Sequence, residues 1–143
     1  MRHRFTHLVV DGHAGVREAL AQRLARRPEV RAALTADGID ATEELLPALR
    51  PDVVIVDPKT LAADMRDAVR VFAEQRLPVV VLTASLQGME AAALRRAGAA
   101  SVLLKGACAI PVLLECVEGA AHAARRGPSA PAGEQSPGGG ASS

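Results

Sequence analysis

Four polar residues of the 143-residue chain each follow a short apolar stretch: Asp11, Asp57, Thr83 and Lys105. Two carboxylates brought together repel one another unless a cation lies between them, and a divalent metal or the Lys105 ammonium could supply it. Ligands that are all oxygen suit Mg²⁺ better than zinc or copper. A hydroxyl and an ammonium facing an aspartate are also what phosphoryl transfer to a carboxylate requires. These residue types therefore indicate metal binding or phosphoryl transfer centred on Asp57.

Composition and missing motifs exclude several other classes of function. The 17 Lys and Arg residues balance 16 Asp and Glu residues, so no bulk charge favours nucleic acid or anionic lipid. Phe5 and Phe72 are the only aromatic residues, which argues against stacking on single-stranded nucleic acid. Neither a GxxxxGK[ST] loop nor a GxGxxG loop is present, so nucleotide binding gains little support.

Short apolar runs alternate with helical patterns five times along the chain. Strands are predicted at residues 8–10, 30–34, 53–56, 78–82 and 101–104. Helices are predicted at residues 14–27, from about 40 onward, 61–75, 87–97 and from 111 onward. Asp40 and Glu43 resemble a capping box, Pro47 is expected to kink or shorten its helix, and Gly98 should end the fourth.

Two helices have predicted apolar faces. In the first helix the face comprises Val16, Ala19, Leu20 and Leu24. In the last helix it comprises Val112, Leu113, Cys116, Val117, Ala120 and Ala124. Cys108 and Cys116 are expected to be small buried thiols of a reducing compartment, although their spacing leaves any further role open.

The alternation predicts an α/β fold with a five-stranded parallel sheet, strand order 2-1-3-4-5 and helices on both faces. In this flavodoxin-like order strands one and three are neighbours at the switch point, where ligands bind beyond the carboxyl ends. Asp11 and Asp57 end those two strands, and Thr83 and Lys105 end the next two. Residues 1–126 should form this domain, and residues 127–143 a disordered tail rich in Gly, Pro, Ser and Ala.

The chain resembles the receiver domain of response regulators over about residues 5–126, most closely the NarL/LuxR-type group. The resemblance rests on four ordered motifs: VVDGH at 9–13, PDVVIVD at 51–57, VLTA at 81–84 and LLKG at 103–106. It implies that Asp57 is the phosphoacceptor and that Asp11 and Asp57 are metal ligands. It further implies that Thr83 is the switch hydroxyl and Lys105 the phosphate-binding lysine.

The same resemblance implies Mg²⁺ as cofactor, a sensor histidine kinase and a downstream protein as partners. Signalling, and homodimerisation where it occurs, would use the surface formed by helix four, strand five and helix five. The chain departs from the pattern at Gly12, where receiver domains carry a second acid that binds the metal. Weak or absent Mg²⁺ binding is therefore expected.

Further departures affect the output. Val102 replaces the aromatic switch residue, and Leu61 replaces a proline while Pro58 directly follows Asp57. A ring swinging inward therefore cannot report phosphorylation. The NarL-type DNA-binding helix-turn-helix does not follow, so we expect no direct DNA binding, and the chain either acts through protein contacts or is a fragment of a longer regulator.

Three hypotheses follow for the function. The first is a stand-alone receiver-type domain of a phosphorelay, not an enzyme, which is phosphorylated on Asp57. The second is a phosphorylation-independent pseudo-receiver that binds a protein or small ligand, which Gly12 and Val102 favour. The third is a flavodoxin-like enzyme that uses the two aspartates as acid and base, although the sequence contains no cofactor motif to support it. The N-terminal apolar run is too short for a signal peptide and no stretch reaches transmembrane length, so a cytoplasmic protein without membrane partners is expected.

Two polar features have competing interpretations. His13 is expected to be an exposed residue that begins the first helix, with metal ligation beside Asp11 as the alternative. Four arginines cluster near the end of the first helix, namely Arg23, Arg26, Arg27 and Arg31. A solvated face is the default interpretation of that cluster, and a docking site for an acidic partner is the alternative.

Overall fold

The structure is a computed structural model that describes residues 4–61, 65–85 and 88–126. The predicted tail at 127–143 lies outside the described residues. None of the helices in these ranges has the length and apolar character that crossing a membrane needs.

Five parallel strands form one sheet with the order β2-β1-β3-β4-β5. The strands are β1 (Phe5–Val10), β2 (Val30–Ala36), β3 (Val53–Val56), β4 (Val79–Thr83) and β5 (Ser101–Leu104). The helices are α1 (Ala14–Ala25), α2 (Ile39–Leu49), α3 (Met65–Glu74), α4 (Gly88–Ala97) and α5 (Ile110–Arg125). The predicted fold class and strand order are confirmed.

Each face of the sheet packs against its own layer of helices. Alternate residues of a strand point to opposite faces, so Leu8 and Val10 enter one core while Phe5 and Val9 enter the other. The first core includes Phe72 of α3, and the second includes Leu24 of α1 and Val117 of α5. Every residue of β3 is buried, because the central strand has helices on both sides.

Strand and helix ends differ from the predictions in several places. β1 begins at Phe5 rather than residue 8, because polar Thr6 and His7 interrupt the apolar run without ending the pairing with β2. α2 begins at Ile39 after an N-cap at Gly38 that makes no side-chain bond, so the predicted capping box is wrong. Pro47 does not end α2, which continues to Leu49.

The region after Asp57 also differs. Residues Pro58–Leu61 form a 3-10 turn, so Leu61 does not begin an α-helix, and the described part of α3 begins at Met65. Proline at the first position of this turn fixes its own φ and lacks an N–H, which suits the start of a helical turn. Residues 62–64, which the predicted helix included, lie outside the described residues.

The predicted helix faces are wrong in part. In α1 the buried residues are Ala21 and Leu24, while Val16 is 37% exposed. In α5 the buried face is Leu113, Leu114, Val117 and Ala121, and Val112 lies outside it. Alanine-rich helices contain several apolar stripes, and only the packing selects between them. Cys108 and Cys116 are free thiols that are half-buried rather than buried.

Candidate functional site

Asp11 and Asp57 lie side by side at the carboxyl edge of the sheet. The strands that precede them, β1 and β3, are paired with Val10 opposite Val56. The Asp57 amide donates a hydrogen bond of 3.0 Å to the Val10 carbonyl, which continues the ladder one residue beyond the strands. The strand order reverses here, because β2 lies on one side of β1 and β3 lies on the other. This edge is therefore the switch point of the sheet.

Lys105 bridges the two carboxylates. It follows β5, two strands away from β3, and its Nζ lies 3.0 Å from Oδ2 of Asp11 and 2.6 Å from Oδ2 of Asp57. Both contacts are charge-assisted hydrogen bonds, and the ammonium offsets the repulsion between the two acids. The side chains are mostly shielded from water, with exposed fractions of 8% for Asp11, 12% for Asp57 and 24% for Lys105.

The second oxygen of each aspartate is held by the backbone. Oδ1 of Asp11 accepts a hydrogen bond of 2.8 Å from the His13 amide, and Oδ1 of Asp57 accepts one of 2.9 Å from the Lys59 amide. Each bond spans two residues, the pattern of an Asx turn. Both carboxylates are therefore fixed in the same way, with Oδ1 toward their own loop and Oδ2 toward Lys105.

The electrostatics of the lysine follow from this arrangement. Partial burial by itself lowers the pKa of Lys105, but hydrogen bonds and charges from Asp57 and Asp11 outweigh it and raise the pKa above its ordinary value. Lys105 is therefore fully protonated at neutral pH. The site carries two negative charges and one positive charge.

Several supporting contacts were not predicted from the sequence. Arg17 donates a hydrogen bond of 2.9 Å from Nη1 to the Asp11 carbonyl and so ties α1 to the end of β1. His13 caps α1, with its Nδ1 accepting from the Val16 amide at 3.3 Å, and it is exposed as predicted. Backbone donors have no sequence signature, since any residue except proline supplies an N–H. Histidine is also outside the usual set of N-cap residues.

Thr83 lies at the same edge but is turned toward its own loop. It is 8% exposed, and its Oγ1 donates to the Ser85 carbonyl at 3.0 Å and accepts from the Ser85 amide at 3.4 Å. Thr83 is paired with Leu104, the residue before Lys105, through the β4–β5 ladder. The structure thus brings Asp11, Asp57 and Lys105 into contact and places Thr83 beside them without a described hydrogen bond to any of the three.

The donor set fits Mg²⁺ in type but not in number. Carboxylate oxygens are the ligands this ion prefers, and Asp11 and Asp57 provide them. Gly12 adds no side chain, and the described residues contain no group of three or more His, Cys, Asp or Glu suited to holding a metal. All four carboxylate oxygens already accept a hydrogen bond. An Mg²⁺ ion at this site would compete with Lys105 for Oδ2 of both aspartates.

Val102, which occupies the position of the aromatic switch residue in receiver domains, is part of the core. Val102 is 5% exposed and packs in the cluster between the sheet and α3 and α4. Its register partner on β4 is Val81, also fully buried. A small side chain enclosed on all sides has no alternative outward position of the kind a mobile ring requires.

Comparison with known proteins gives related sequences over part of the chain. No known protein-family profile matches it. Over 101 residues, which are 68% of this chain and 28% of the relative, it is 34% identical to a protein-glutamate methylesterase/protein-glutamine glutaminase from Cereibacter sphaeroides. A protein of the same description from Anaeromyxobacter dehalogenans is 42% identical over 80 residues, or 54% of this chain and 23% of that protein. The chain thus spans about a quarter of the length of these relatives.

Solved structures match nearly the whole described domain. The signal receiver domain of the response regulator NarL from Mycobacterium tuberculosis superposes with a TM-score of 0.69 and 24% identity, covering 86% of this chain and 98% of that one. The BeF3-activated receiver domain of RstA from Klebsiella pneumoniae has a TM-score of 0.72 and 22% identity, covering 81% and 97%. A LuxR-family response regulator from Aurantimonas sp. has a TM-score of 0.74 and 20% identity, covering 84% and 86%. The chain therefore has the same fold as these receiver domains.

Proposed function

We propose that this chain is a receiver-type domain of a phosphorelay that accepts a phosphoryl group on Asp57 and signals through altered protein contacts. The observation that carries the proposal is the Lys105 ammonium, held 2.6 Å from Asp57 and 3.0 Å from Asp11 at the switch point of the sheet. A fixed cation beside a shielded carboxylate is the arrangement that phosphoryl transfer to that carboxylate needs.

In the proposed reaction a carboxylate oxygen of Asp57 attacks the phosphorus of a phosphohistidine on a sensor histidine kinase. A P–O bond forms as the P–N bond breaks, and the electron pair of that bond returns to the imidazole nitrogen, which takes up a proton. Lys105 stabilises the negative oxygens of the transferred group, because its ammonium is already oriented toward Asp57. Lys59 and His13 hold the two carboxylates in place through their backbone amides.

Mg²⁺ is the cofactor that the receiver fold implies, and we propose that Asp11 and Asp57 hold it weakly. When bound, the ion neutralises charge on the phosphoryl oxygens. Two side-chain ligands, both shared with Lys105, leave most of the coordination sphere to water and the incoming phosphate. Gly12 is the position at which the chain lacks the further oxygen ligand of a tighter site.

The proposed response to phosphorylation begins at Thr83. Its hydroxyl bonds Ser85 in the present structure, so bonding to a phosphoryl oxygen on Asp57 would require it to release the Ser85 carbonyl and move the loop after β4. This loop leads into α4, which connects the site to the surface formed by α4, β5 and α5. We propose that this surface contacts the downstream protein and is where a homodimer would form, without direct DNA binding by this chain.

A phosphorylation-independent pseudo-receiver is the second candidate. It is favoured by the same contacts: each carboxylate oxygen has a donor, and the site is partly neutralised without any metal. In that case the salt-bridged site is structural, and a protein partner or small ligand binds without chemistry at Asp57.

We further propose that this chain is not itself an enzyme and acts in the cytoplasm. The esterase and glutaminase names belong to the relatives as whole proteins. About three-quarters of the length of each relative lies outside the region that matches this chain. The Asp11–Asp57 pair is bridged by a lysine, which suits anion binding better than paired acid and base catalysis.

Labelling with a small phosphodonor tests the proposed function. Wild-type protein incubated with acetyl phosphate and Mg²⁺ should gain a hydroxylamine-labile phosphoryl group, and Asp57→Asn should abolish it. Asp37→Asn is the matched control, because Asp37 is an exposed aspartate that follows β2 at the same edge of the sheet. Labelling that survives Asp57→Asn would exclude Asp57 as the acceptor, and an equal loss in Asp37→Asn would mean that the loss is not specific to Asp57. Absence of any label on the wild type would favour the pseudo-receiver.

A further inference from the structure

The opposite end of the sheet carries a second surface with its own chemistry. A groove with a volume of about 340 Å³ lies at the amino ends of β4 and β5, between the last turns of α3, α4 and α5. Its walls are apolar and small, formed chiefly by Ala73, Leu77, Gly98, Ala100, Ala120 and Ala124. This size falls at the lower end of the range for ligand pockets, about 300–1,000 Å³.

The backbone beneath this alanine groove offers little to a ligand. The amides of Leu77, Gly98 and Ala100 donate to Phe72, Arg95 and Val79 carbonyls. The last turn of α3 also packs closely against the residue that follows α4, since a Cβ added at Gly98 would lie 2.8 Å from the Ala73 Cβ. An occupant must therefore be recognised by apolar contact within the groove and by polar groups at its rim.

Basic residues cluster at the helix ends around the alanine groove, and we call this cluster its arginine rim. Arg76 lines the groove itself, Arg95 and Arg96 lie in the last turn of α4, which ends just before the lining residue Gly98, and Arg126 is the C-cap of α5. All four are exposed, and none forms an ion pair with a carboxylate of the described residues. Within the three helix ends that form the groove, Glu74 is the only described carboxylate. The chain as a whole has a net charge of only +1, so this excess of positive charge is local.

Helix geometry explains only part of this charge. Basic side chains in a last turn interact favourably with the helix dipole, which accounts for Arg95 and Arg96. Arg76 lies beyond the end of α3 and has a φ of 62°, a left-handed conformation in which glycine or asparagine is easier to accommodate. The turn alone therefore does not account for an arginine at this position.

We propose that the alanine groove and its arginine rim bind an acidic segment of a protein partner that inserts an aliphatic side chain between α3, α4 and α5. Charge complementarity selects carboxylates at the rim, and the apolar walls select the inserted side chain. Nucleic acid is a poorer fit because its bases stack on aromatic rings, and Phe5 and Phe72 are both buried. A membrane is also a poorer fit, since the surface is concave and Val16, Val71 and Val112, the exposed large apolar residues described, do not line it.

This surface is distinct from the site of the proposed phosphorylation. The groove begins where β4 and β5 begin, whereas Asp57 and Lys105 follow the carboxyl ends of their strands. Binding here therefore does not rest on the proposed function. Asp57→Asn should bind the acidic segment as well as the wild type does, so failure of one proposal leaves the other standing.

Fluorescence anisotropy on the full chain tests the proposal with a labelled short peptide of Glu and Leu in helical spacing. Arg76→Glu combined with Arg95→Glu should weaken binding at least about tenfold, because like charges then face each other. Arg23→Glu combined with Arg26→Glu, the same charge change at the end of α1, should leave binding within about twofold. Ala123→Leu, which fills the groove without changing charge, should weaken binding about as much as the rim variant.

Three results would overturn the proposal. One is equal binding of a peptide in which every Glu is replaced by Lys. Another is an equal loss of affinity in the α1 control and the rim variant, which would mean general electrostatic attraction. The third is tight binding of a single-stranded oligonucleotide or of phosphatidylserine vesicles with no binding of the peptide, which would assign the basic rim to a different class of partner.

Discussion

The Lys105 ammonium lies 2.6 Å from Oδ2 of Asp57, although 48 residues separate the two in the chain. The same nitrogen lies 3.0 Å from Oδ2 of Asp11, so one lysine serves as counter-ion to two acids. Because Gly12 adds no further acid, the single ammonium offsets one of the two negative charges without a metal. This explains how two shielded carboxylates remain together in the structure and why the competition between Lys105 and Mg²⁺ governs the proposed chemistry.

Restoring an acid at Gly12 should restore metal binding. Gly12→Asp adds a hard oxygen ligand next to Asp11 and should raise Mg²⁺ affinity at least about tenfold, or roughly 1.4 kcal/mol. Isothermal titration calorimetry measures this directly. Gly38→Asp is the matched control: an added Cβ there meets nothing within 4 Å, and the new charge lies at the same sheet edge beside α2. If the two variants bind Mg²⁺ equally, Gly12 is not where the site is incomplete.

Removing the lysine should separate metal binding from phosphoryl transfer. Lys105→Met frees Oδ2 of both aspartates, so Mg²⁺ affinity should increase, while labelling by acetyl phosphate should fall about one hundredfold for lack of the ammonium. Lys59→Met is the control, because Lys59 serves Asp57 through its backbone amide and its side chain is exposed. A fall in both Mg²⁺ affinity and labelling would show that Lys105 maintains the pocket rather than competing for it.

His7 should make the fold sensitive to acid. It is wholly buried in β1, and neither ring nitrogen has a hydrogen-bond partner in the part of the chain described. Burial lowers its pKa from the ordinary 6.5 to about 4, against the opposing charge of Asp52. The folded state thus holds the neutral ring while the unfolded chain takes up a proton, so stability is lost as pH falls from 6.5 through 4.

His7→Leu removes this titration while filling the same space. Between about pH 7 and about pH 4.5 the wild type should lose roughly 2–3 kcal/mol more of its unfolding free energy than the variant. Urea denaturation at the two pH values measures the difference. Curves that fall in parallel for the two proteins would mean that His7 is protonated or solvated in the folded state.

A side chain at Gly98 should destabilise the fold. It has a φ of +124°, and an added Cβ would lie 2.8 Å from the Ala73 Cβ, so Gly98→Ala should destabilise the protein by about 1–3 kcal/mol. Thermal or urea unfolding measures this loss. In an Ala73→Gly background the clash is relieved and Gly98→Ala should lose less, whereas an equal loss would place the whole effect on the backbone conformation.

The fold was predictable because its signals are local and repeated. Strands buried on both faces appear as unbroken β-branched runs such as residues 53–56, and polar residues at their ends mark one edge of the sheet. Helix starts and faces were less predictable. Gly38 is the N-cap of α2 in place of the expected Asp40. The alanine-rich helices α1 and α5 contain several apolar stripes, and only tertiary packing decides which of them is buried.

The candidate site was predictable in its residues but not in its contacts. The topology alone brings Asp11, Asp57 and Lys105 to one edge of the sheet. The amide donors at His13 and Lys59 and the turn of Thr83 toward Ser85 depend on loop conformations that have no residue-type signature. His7 was missed for a different reason: a single polar residue inside a strand does not indicate whether it is buried.

If Asp57 receives the phosphoryl group, that group can be located on the wild-type chain. After reaction with acetyl phosphate and Mg²⁺, borohydride reduction of the acyl phosphate and peptide mass spectrometry identify the modified residue. We expect modification at Asp57 alone. Modification at Asp11 or another carboxylate instead, or none at a donor concentration where an ordinary receiver domain reacts fully, would contradict it.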